Sequence, residues 1–410
     1  MLRLALICAL VLACCCACSG ELSIHSMVVG GKVLEVKENR QLTFGASAGI
    51  TFYSISPDGK TVAYFADQPD GSNGLCLIPS GGGRAVTAFS ARFDPNLPSP
   101  KERSPKGERW SLEPGYIHWS PDSRLVACTA ERQSWDGQKE SDADCILLFT
   151  AKGAPVHTMD LATHDPTHYP IFDPSSTHIA VATTSLNRPA PGDLRSEVKV
   201  YDLSDWTCKV VAREQGMLML ERWADGGKSL IYFAMGGADL GFKKAWLDGK
   251  PGEVIELTSE ANKYADTSST GRYRRVGVEG GTGIIDTRTK KTVRTFKDGL
   301  ATFRRWTSDD KLLLYEQPLT VADALGRRPR ELYSLWMATA EPGKVQTMCI
   351  ASECDWTCGV SSSQDGLRIA YTIGRKLYVA ELAWRDATED DNDDPPPTMT
   401  DEELNRLPMP

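Results

Sequence analysis

Apolar and polar positions along this chain repeat as pairs of extended segments joined by a short polar turn. The clearest copy is Gln41–Asp67, where apolar runs flank the sequence Ser-Pro-Asp-Gly at Ser56–Gly59. Proline presets φ for the second turn position, aspartate hydrogen-bonds the backbone two residues on, and glycine adopts positive φ at little cost. The pattern therefore predicts a β-hairpin, which is stable only when other strands cover its faces.

Six further turns of this kind follow, and the weakest is the fifth. They occupy Ser120–Ser123, Asp173–Ser176, Ala224–Gly227, Ser268–Gly271, Thr307–Asp310 and Ser363–Gly366. A spacing of about 40 to 65 residues is typical of propeller blades, and unbroken apolar runs suit strands covered on both faces. We therefore predict an all-β fold, a single β-propeller of four-stranded antiparallel blades. The repeats favour seven blades, with six as the alternative.

The two ends of the chain are expected to share the last blade. After Lys376–Leu382 the sequence turns acidic and offers no fourth strand, whereas Val33–Phe44 precedes the first repeat. An N-terminal strand added to the last blade would close the ring and remove an open sheet edge. The predicted organisation is a leader at 1–20, a linker at 21–32, the propeller at 33–384 and an acidic, proline-containing tail at 385–410.

The repeat also resembles that of a known protein family. Leu-Thr followed by Ser-Pro-Asp-Gly-Lys-x-Val-Ala-Tyr is similar to the TolB-like, WD-type β-propeller repeat. Tryptophan precedes three of the later turns, at Trp119, Trp223 and Trp306. The resemblance covers roughly residues 33–382 and implies a propeller, which together with the leader suggests a bacterial envelope lipoprotein. It says little about function, because one propeller scaffold hosts receptors, enzymes and adaptors.

The first 20 residues predict export. They carry one basic residue, a short apolar run, and then small residues and cysteines. The apolar run is too short to span a membrane as a mature helix. Small residues before Cys14 and Cys18 are typical of lipoprotein cleavage boxes, so both cysteines are candidate lipidation sites, and ordinary cleavage near Gly20 is the alternative. We expect an exported protein, periplasmic or anchored at the outer membrane by lipid.

The net charge and the cysteine content limit the classes of function that the protein can have. The net charge of −8 equals the charge of the segment from Asp386 onward, so the rest is formally neutral. A neutral propeller lacks the basic footprint of a nucleic-acid-binding protein. We expect the acidic tail to be disordered, with an interaction tail as the alternative. Export permits disulfides, and Cys128 and Cys145, on neighbouring strands of the second blade, are the predicted pair.

Motifs for catalysis are absent from the sequence. It contains no nucleophile elbow, P-loop, His-Glu-x-x-His or dinucleotide fingerprint. His164 and His168, in the connection entering the third blade, support only a lower-ranked alternative, a metal-assisted polysaccharide lyase or hydrolase. Arg274 and Arg275 replace apolar residues of the repeat and are either salt-bridged or an anionic-ligand site, because arginine forks match carboxylates. We favour a protein without catalytic activity and expect no cofactor.

The lengths of the connections between strands predict which end of the propeller binds a partner. Connections between blades, and those joining second and third strands, emerge at one end of a propeller, and the long ones here are of these kinds. Long loops on a rigid scaffold often carry binding residues, and tryptophan and arginine are enriched at hot spots. The candidates are Arg103, Arg109, Trp110, Trp135, Arg327, Arg328 and Arg330. The sequence thus predicts an exported propeller that binds a protein, peptide or glycan partner in the cell envelope.

The lipid anchor is directly testable. Changing both Cys14 and Cys18 to Ser removes the acceptor thiols, so the mature protein should move from the detergent phase to the aqueous phase in a phase-partitioning experiment. A single Cys8→Ser change, in the apolar run, is the matched control and should leave partitioning unchanged. Detergent partitioning that survives the double change would contradict the prediction.

Overall fold

The computed structural model describes most of the chain from residue 26 onward. The described residues are 26–44, 49–67, 73–91, 107–135, 140–161, 170–185, 195–235, 240–255, 268, 272–278, 281–297, 302–307, 310–321, 330–339, 346–355 and 360–388. They form β-strands and turns, with one short 3-10 turn at Asp225–Gly227. Within these ranges no helix has the length and apolar character needed to cross a membrane.

The chain begins with β1 (Ser26–Val29) and β2 (Lys32–Gln41), which belong to the last sheet. Three four-stranded antiparallel sheets follow, each built from consecutive strands. Sheet 1 contains β3 (Ile50–Ile55), β4 (Thr61–Asp67), β5 (Asn73–Pro79) and β6 (Val86–Ala91). Sheet 2 contains β7 (Gly107–Trp119), β8 (Leu125–Trp135), β9 (Glu140–Thr150) and β10 (Pro155–Asp160). Sheet 3 contains β11 (Ile171–Phe172), β12 (His178–Ser185), β13 (Arg195–Asp202) and β14 (Cys208–Gln215).

Four more sheets complete the described fold. Sheet 4 contains β15 (Met217–Ala224), β16 (Ser229–Met235), β17 (Gly241–Trp246) and β18 (Glu253–Ile255). Sheet 5 contains β19 (Tyr273–Val278), β20 (Gly281–Asp286) and β21 (Thr292–Lys297). Sheet 6 contains β22 (Thr302–Trp306), β23 (Leu312–Val321), β24 (Arg330–Thr339) and β25 (Thr347–Asp355). Sheet 7 contains β26 (Ser361–Ser362), β27 (Arg368–Ile373) and β28 (Lys376–Asp386), to which β2 and β1 are added.

The unbroken apolar runs are explained by burial on both faces of a sheet that lies between two others. In β4, Ala63 and Phe65 pack against sheet 2, whereas Val62 and Tyr64 pack against sheet 7. Alternate residues of a strand point to opposite faces, so a strand between two sheets needs apolar residues at every position. Six such apolar clusters join sheets 1–2, 2–3, 3–4, 5–6, 6–7 and 7–1.

The repeated turns share a positive φ at their fourth residue. The fourth turn residue has positive φ in each of the six turns where it is described: Gly59, Ser123, Ser176, Gly227, Asp310 and Gly366. Glycine reaches this conformation at no steric cost, whereas serine and aspartate are strained there. Gly366 has a second reason, because a Cβ atom at this position would lie 2.6 Å from Cγ2 of Thr307 in the preceding turn.

Where the fourth residue is serine, its hydroxyl contacts the preceding turn. The backbone N–H of Asp58 donates to Oγ of Ser123 at 2.9 Å, and the backbone N–H of Asp122 donates to Oγ of Ser176 at 3.1 Å. Each bond joins one sheet to the next. We infer that these hydroxyl bonds offset the strain of a non-glycine residue at positive φ.

Other bonds near the turns also join neighbouring sheets. The indole N–H of Trp119 donates to the carbonyl of Ser54 at 3.0 Å, and that of Trp223 donates to the carbonyl of Ile171 at 3.0 Å. Both tryptophans thus reach back to the first strand of the preceding sheet. The tryptophan before the turn therefore has a structural role.

The two ends of the chain pair as predicted. Strand β2 runs antiparallel to β28, from Lys32 opposite Asp386 to Gln41 opposite Tyr378. Strand β1 adds a fifth strand outside β2, and its Met27 is fully buried against sheet 6. The segment predicted as a linker at 21–32 therefore contributes a strand to the last sheet.

The predicted all-β class with four-stranded antiparallel sheets is confirmed. The divergent fifth repeat, which motivated the six-blade alternative, forms a sheet of its own.

The turn at Asp173 yields a pH-dependent prediction. Its carboxylate is 3% exposed and accepts hydrogen bonds from the backbone N–H groups of Ser175, Thr177 and His178. Burial alone would raise the pKa of Asp173, but hydrogen bonds from the Ser175 hydroxyl and these N–H groups outweigh it and lower the pKa below the ordinary 3.8. The carboxylate therefore stabilises the fold at pH above about 4, and this contribution is lost as the pH falls further.

Asp173→Asn should lower the free energy of unfolding by about 2 kcal/mol at pH 7, because an amide cannot accept all of these bonds. Urea unfolding of both proteins at pH 7, 5 and 3 measures the difference, which should shrink at pH 3. Asp205→Asn, in an exposed turn of the same sheet, is the control. A difference that is constant over this pH range would contradict the assignment.

Candidate functional site at the loop end of the ring

The strand directions define two ends of the structure. In sheets 1 to 4, 6 and 7 the repeated turns join the first and second strands at one end, here called the turn end. Second strands run away from the turn end, so the connections to the third strands leave from the other end, here called the loop end. The connections between consecutive sheets also leave from the loop end.

The strands of sheets 2 and 6 project farther at the loop end than those of their neighbours. Strands β8 and β9 have 11 residues each, whereas β4 and β5 in sheet 1 have 7. Four additional residues extend a strand by about 13 Å. In sheet 6, β23 and β24 pair over ten positions, out to Val321 opposite Arg330. These projections stand beside the connections that the sequence predicts to bind.

The base of the sheet 2 projection is held by aromatic and ionic contacts. The rings of Trp110 and Phe89 meet edge to face with centroids 5.7 Å apart. The guanidinium of Arg132 lies 5.6 Å from the centroid of Trp110 and is 2.9 Å from Oδ2 of Asp160. Trp110 is half-buried. Trp110, which the sequence predicts to bind a partner, therefore also has a structural role, because its ring packs the projection of sheet 2 against sheet 1.

Two apolar side chains at the loop end are exposed, and the sequence did not single them out. Phe44 follows the loop end of β2 and is 79% exposed, and Leu240 precedes β17 and is 61% exposed. Single exposed apolar residues are common and need no explanation, so these two are only candidate contact positions. The sequence signal for Leu240 is an isolated leucine in the glycine-containing stretch Gly-Gly-Ala-Asp-Leu-Gly at 236–241. The sequence did not reveal the exposure of Phe44, because Phe44 is the last residue of an apolar segment that is predicted to be a buried strand.

The remaining predicted binding residues are only partly described. Arg109, Trp135 and Arg330 belong to the projecting strands, where Arg109 pairs with Gln133 and Trp135 with Glu140. Outside the described residues lie Arg103, Arg327 and Arg328, the histidines His164 and His168, and the leader cysteines Cys14 and Cys18. Sheet 2 and sheet 6 thus carry backbone positions of the predicted set at the loop end, and the other candidates stay predictions.

Arg274 and Arg275 lie on β19, the first described strand of sheet 5, and their side chains are half-buried. Arg275 lies opposite Ile284, and Ile284 lies opposite Arg294 on the next strand. Because Ile284 packs against sheet 6, all three side chains lie on the face towards sheet 6. Arg274 points to the other face, and its buried Nε has no hydrogen-bond partner. The two arginines therefore do not converge on one ligand. Whether Arg274 binds an anion stays a hypothesis.

The described histidines occupy structural positions. Burial lowers the pKa of His118 to about 4, so this ring is neutral near pH 7. His157 stacks on Trp206 with centroids 4.0 Å apart. His178 lies 3.9 Å from a carboxylate oxygen of Asp173. Within the described part of the chain, no group of three or more His, Cys, Asp or Glu side chains is arranged to hold a metal ion.

The predicted disulfide between Cys128 and Cys145 is not formed, because the strand register separates the two residues. Cys128 lies opposite Leu147, and Cys145 lies opposite Ala130, so the cysteines are diagonal neighbours. Both are fully buried free thiols. Burial, reinforced by a 3.2 Å hydrogen bond to Asp160, raises the pKa of the Cys145 thiol to about 12.

Thiol labelling tests this correction. Under non-reducing conditions the folded protein should protect Cys128 and Cys145 from iodoacetamide, because buried thiols with raised pKa react slowly. Both should become labelled in denaturant without a reductant, whereas the exposed Cys208 should react in the folded state. Peptide mapping that recovers a Cys128–Cys145 cross-link would show that the disulfide does form.

Solved structures with a similar fold include two oligogalacturonate lyases. The lyase from Vibrio parahaemolyticus is 11% identical, with a TM-score of 0.53 over 87% of this chain and 96% of that chain. An oligogalacturonate lyase in complex with manganese is 12% identical, with a TM-score of 0.50 over 87% and 99%. TolB from Acinetobacter baumannii is 14% identical, with a TM-score of 0.36 over 80% and 67%.

No family model and no curated protein sequence matches the chain. At 11–12% identity, the likeness to the two lyase structures shows the fold alone, a β-propeller. The propeller expected from the TolB-like repeat is thereby confirmed. The fold does not identify the ligand or partner, and it does not show whether Cys14 or Cys18 carries lipid. These points must be argued from this chain's own residues.

Proposed function

We propose that this protein is an exported, non-catalytic β-propeller that binds a protein, peptide or glycan partner in the cell envelope through the loop end of its ring. A lipid on Cys14 or Cys18 would hold it at the membrane, in the periplasm or at the outer membrane. The observation that carries the proposal is the difference between the two ends of the structure.

At the turn end, the polar groups of the repeated turns are used within the fold. Asp58 and Asp122 accept from the hydroxyls of Ser56 and Ser120 at 2.6 Å, and their backbone N–H groups bond the next turn. At the loop end, projecting strands accompany the exposed Phe44 and Leu240. A rigid ring with longer connections at one end is the usual arrangement for a binding surface.

Partner capture tests the proposal. The protein should be affinity-purified from solubilised envelopes, and mass spectrometry should quantify proteins and glycans that co-purify. Phe44→Ser with Leu240→Ser should reduce capture at least about tenfold if these side chains act as hot spots worth about 2 kcal/mol or more. The matched control is Val86→Ser with Val254→Ser, which removes side chains 48% and 68% exposed on outer strands.

A second variant addresses the arginines. Arg327, Arg328 and Arg330 should be changed to Ala together with a shortening of 98–106, which avoids the strand pairing that begins at Gly107. Capture should fall while the thermal unfolding midpoint stays nearly constant. Capture that survives both loop-end variants but fails in turn-end variants that still fold would overturn the choice of surface.

The alternative function, a metal-assisted polysaccharide lyase or hydrolase, depends on His164 and His168. Oligogalacturonate lyases share the fold, but one fold supports unrelated functions. Incubation with oligogalacturonates and Mn²⁺ distinguishes the two. Release of unsaturated products that is lost in both His164→Ala and His168→Ala would overturn the non-catalytic proposal. Unchanged substrate supports it.

A further inference from the structure

The turn between the last two strands of sheet 5 is strongly cationic. It joins β20 to β21 and carries Arg288, Lys290 and Lys291, here called the cationic turn, all exposed. The turn lies at the turn end, because the backbone N–H of Thr287 donates to the carbonyl of Arg272, directly before β19. Three positive charges in four residues stand out in a protein with a net charge of −8.

These cations have no acidic partner among the described residues. The nearest acid in sequence, Asp286, is 4% exposed and accepts from the backbone N–H groups of Arg288 at 2.8 Å and Thr289 at 3.1 Å. In the corresponding turn of sheet 4, by contrast, Lys250 pairs with Asp248 at 2.7 Å. The described part of the chain thus leaves the charge of the cationic turn uncompensated.

The chain supplies the opposite charge at the same end of the ring. Strand β28 ends at Asp386 opposite Lys32, and the backbone N–H of Ala387 donates to the carbonyl of Gly31 at 3.1 Å. The continuing chain therefore leaves from the turn end. Residues 389–403 contain eight acids and no base, and are here called the acidic segment.

We propose that the acidic segment binds the cationic turn of the same chain. Residue 401 lies 13 residues beyond Thr388, which allows a reach of about 45 Å at about 3.4 Å per residue. Asp401, Glu402 and Glu403 can therefore extend from sheet 7 past sheet 6 to sheet 5. Exposed ion pairs are individually weak, but several acting together on one segment add up, and salt screens them.

The contact gives the two ends of the ring different roles. The acidic segment would neutralise the cationic turn and exclude other polyanions from it, while the loop end stays open for the partner. This inference does not depend on the proposed function, because it concerns only groups of this chain at the turn end.

Zero-length cross-linking of the full chain tests the contact. A carbodiimide joins a carboxylate to a lysine amine only when the two groups touch, and mass spectrometry maps the links in the monomeric fraction. We expect links from residues 389–403 to Lys290 or Lys291 at several times the yield of links to Lys152 or Lys228. The last two lysines are equally exposed at the turn end, in sheets 2 and 4. In about 1 M salt, where the Debye length is about 3 Å, the preferred links should disappear.

A matched pair of substitutions completes the test. Arg288→Glu keeps both reporter lysines and should reduce the preferred links several-fold, whereas Arg84→Glu, at an exposed position in the corresponding turn of sheet 1, should leave them unchanged. Equal yields on all exposed lysines would overturn the proposal, as would links found only between two chains. Unchanged circular dichroism melts of both variants keep the comparison free of folding effects.

Discussion

The pairing of β2 with β28 is the constraint on which the ring depends. Apolar clusters join consecutive sheets from 1 to 4 and from 5 to 7, and the ring closes at its ends only if the last sheet contacts the first. Strand β2 contributes to sheet 7 and then leads directly into sheet 1, so the same segment completes one sheet and begins the next. Antiparallel backbone hydrogen bonds from Lys32 to Gln41 thus make the closure without a covalent link.

The repeated turns set how neighbouring sheets meet. A positive φ at the fourth turn residue directs either a hydroxyl, as in Ser123 and Ser176, or a bare glycine, as in Gly366, towards the adjacent turn. The first choice makes a hydrogen bond, and the second permits a closer approach. Both choices bring consecutive turns into contact, which leaves the loop end as the part of the molecule in which chain length and side chains vary.

Much of the fold follows from local sequence chemistry. The Ser-Pro-Asp-Gly turns and unbroken apolar runs such as Val62–Phe65 are local signals, and they predicted the sheets and their order. Register is a tertiary property, which is why Cys128 and Cys145 were expected to face each other and instead lie diagonally. The strand β1 escaped notice because Ser26–Val29 is short and polar at its start, and Met27 is buried only by contact with sheet 6. The exposure of Phe44 likewise depends on what the rest of the fold leaves uncovered.

The closure has a consequence for how the chain acquires its structure in time. A chain that emerges from its N-terminus presents β2 first, yet its partner β28 begins at Lys376, 335 residues after Gln41. At about 5–20 residues per second, β2 waits for roughly 15 to 70 s without the strand that pairs with it. Its sequence suits such a delay: only Val33 and Leu34 are fully buried, and Lys37, Glu38 and Arg40 carry charges that discourage pairing with other chains.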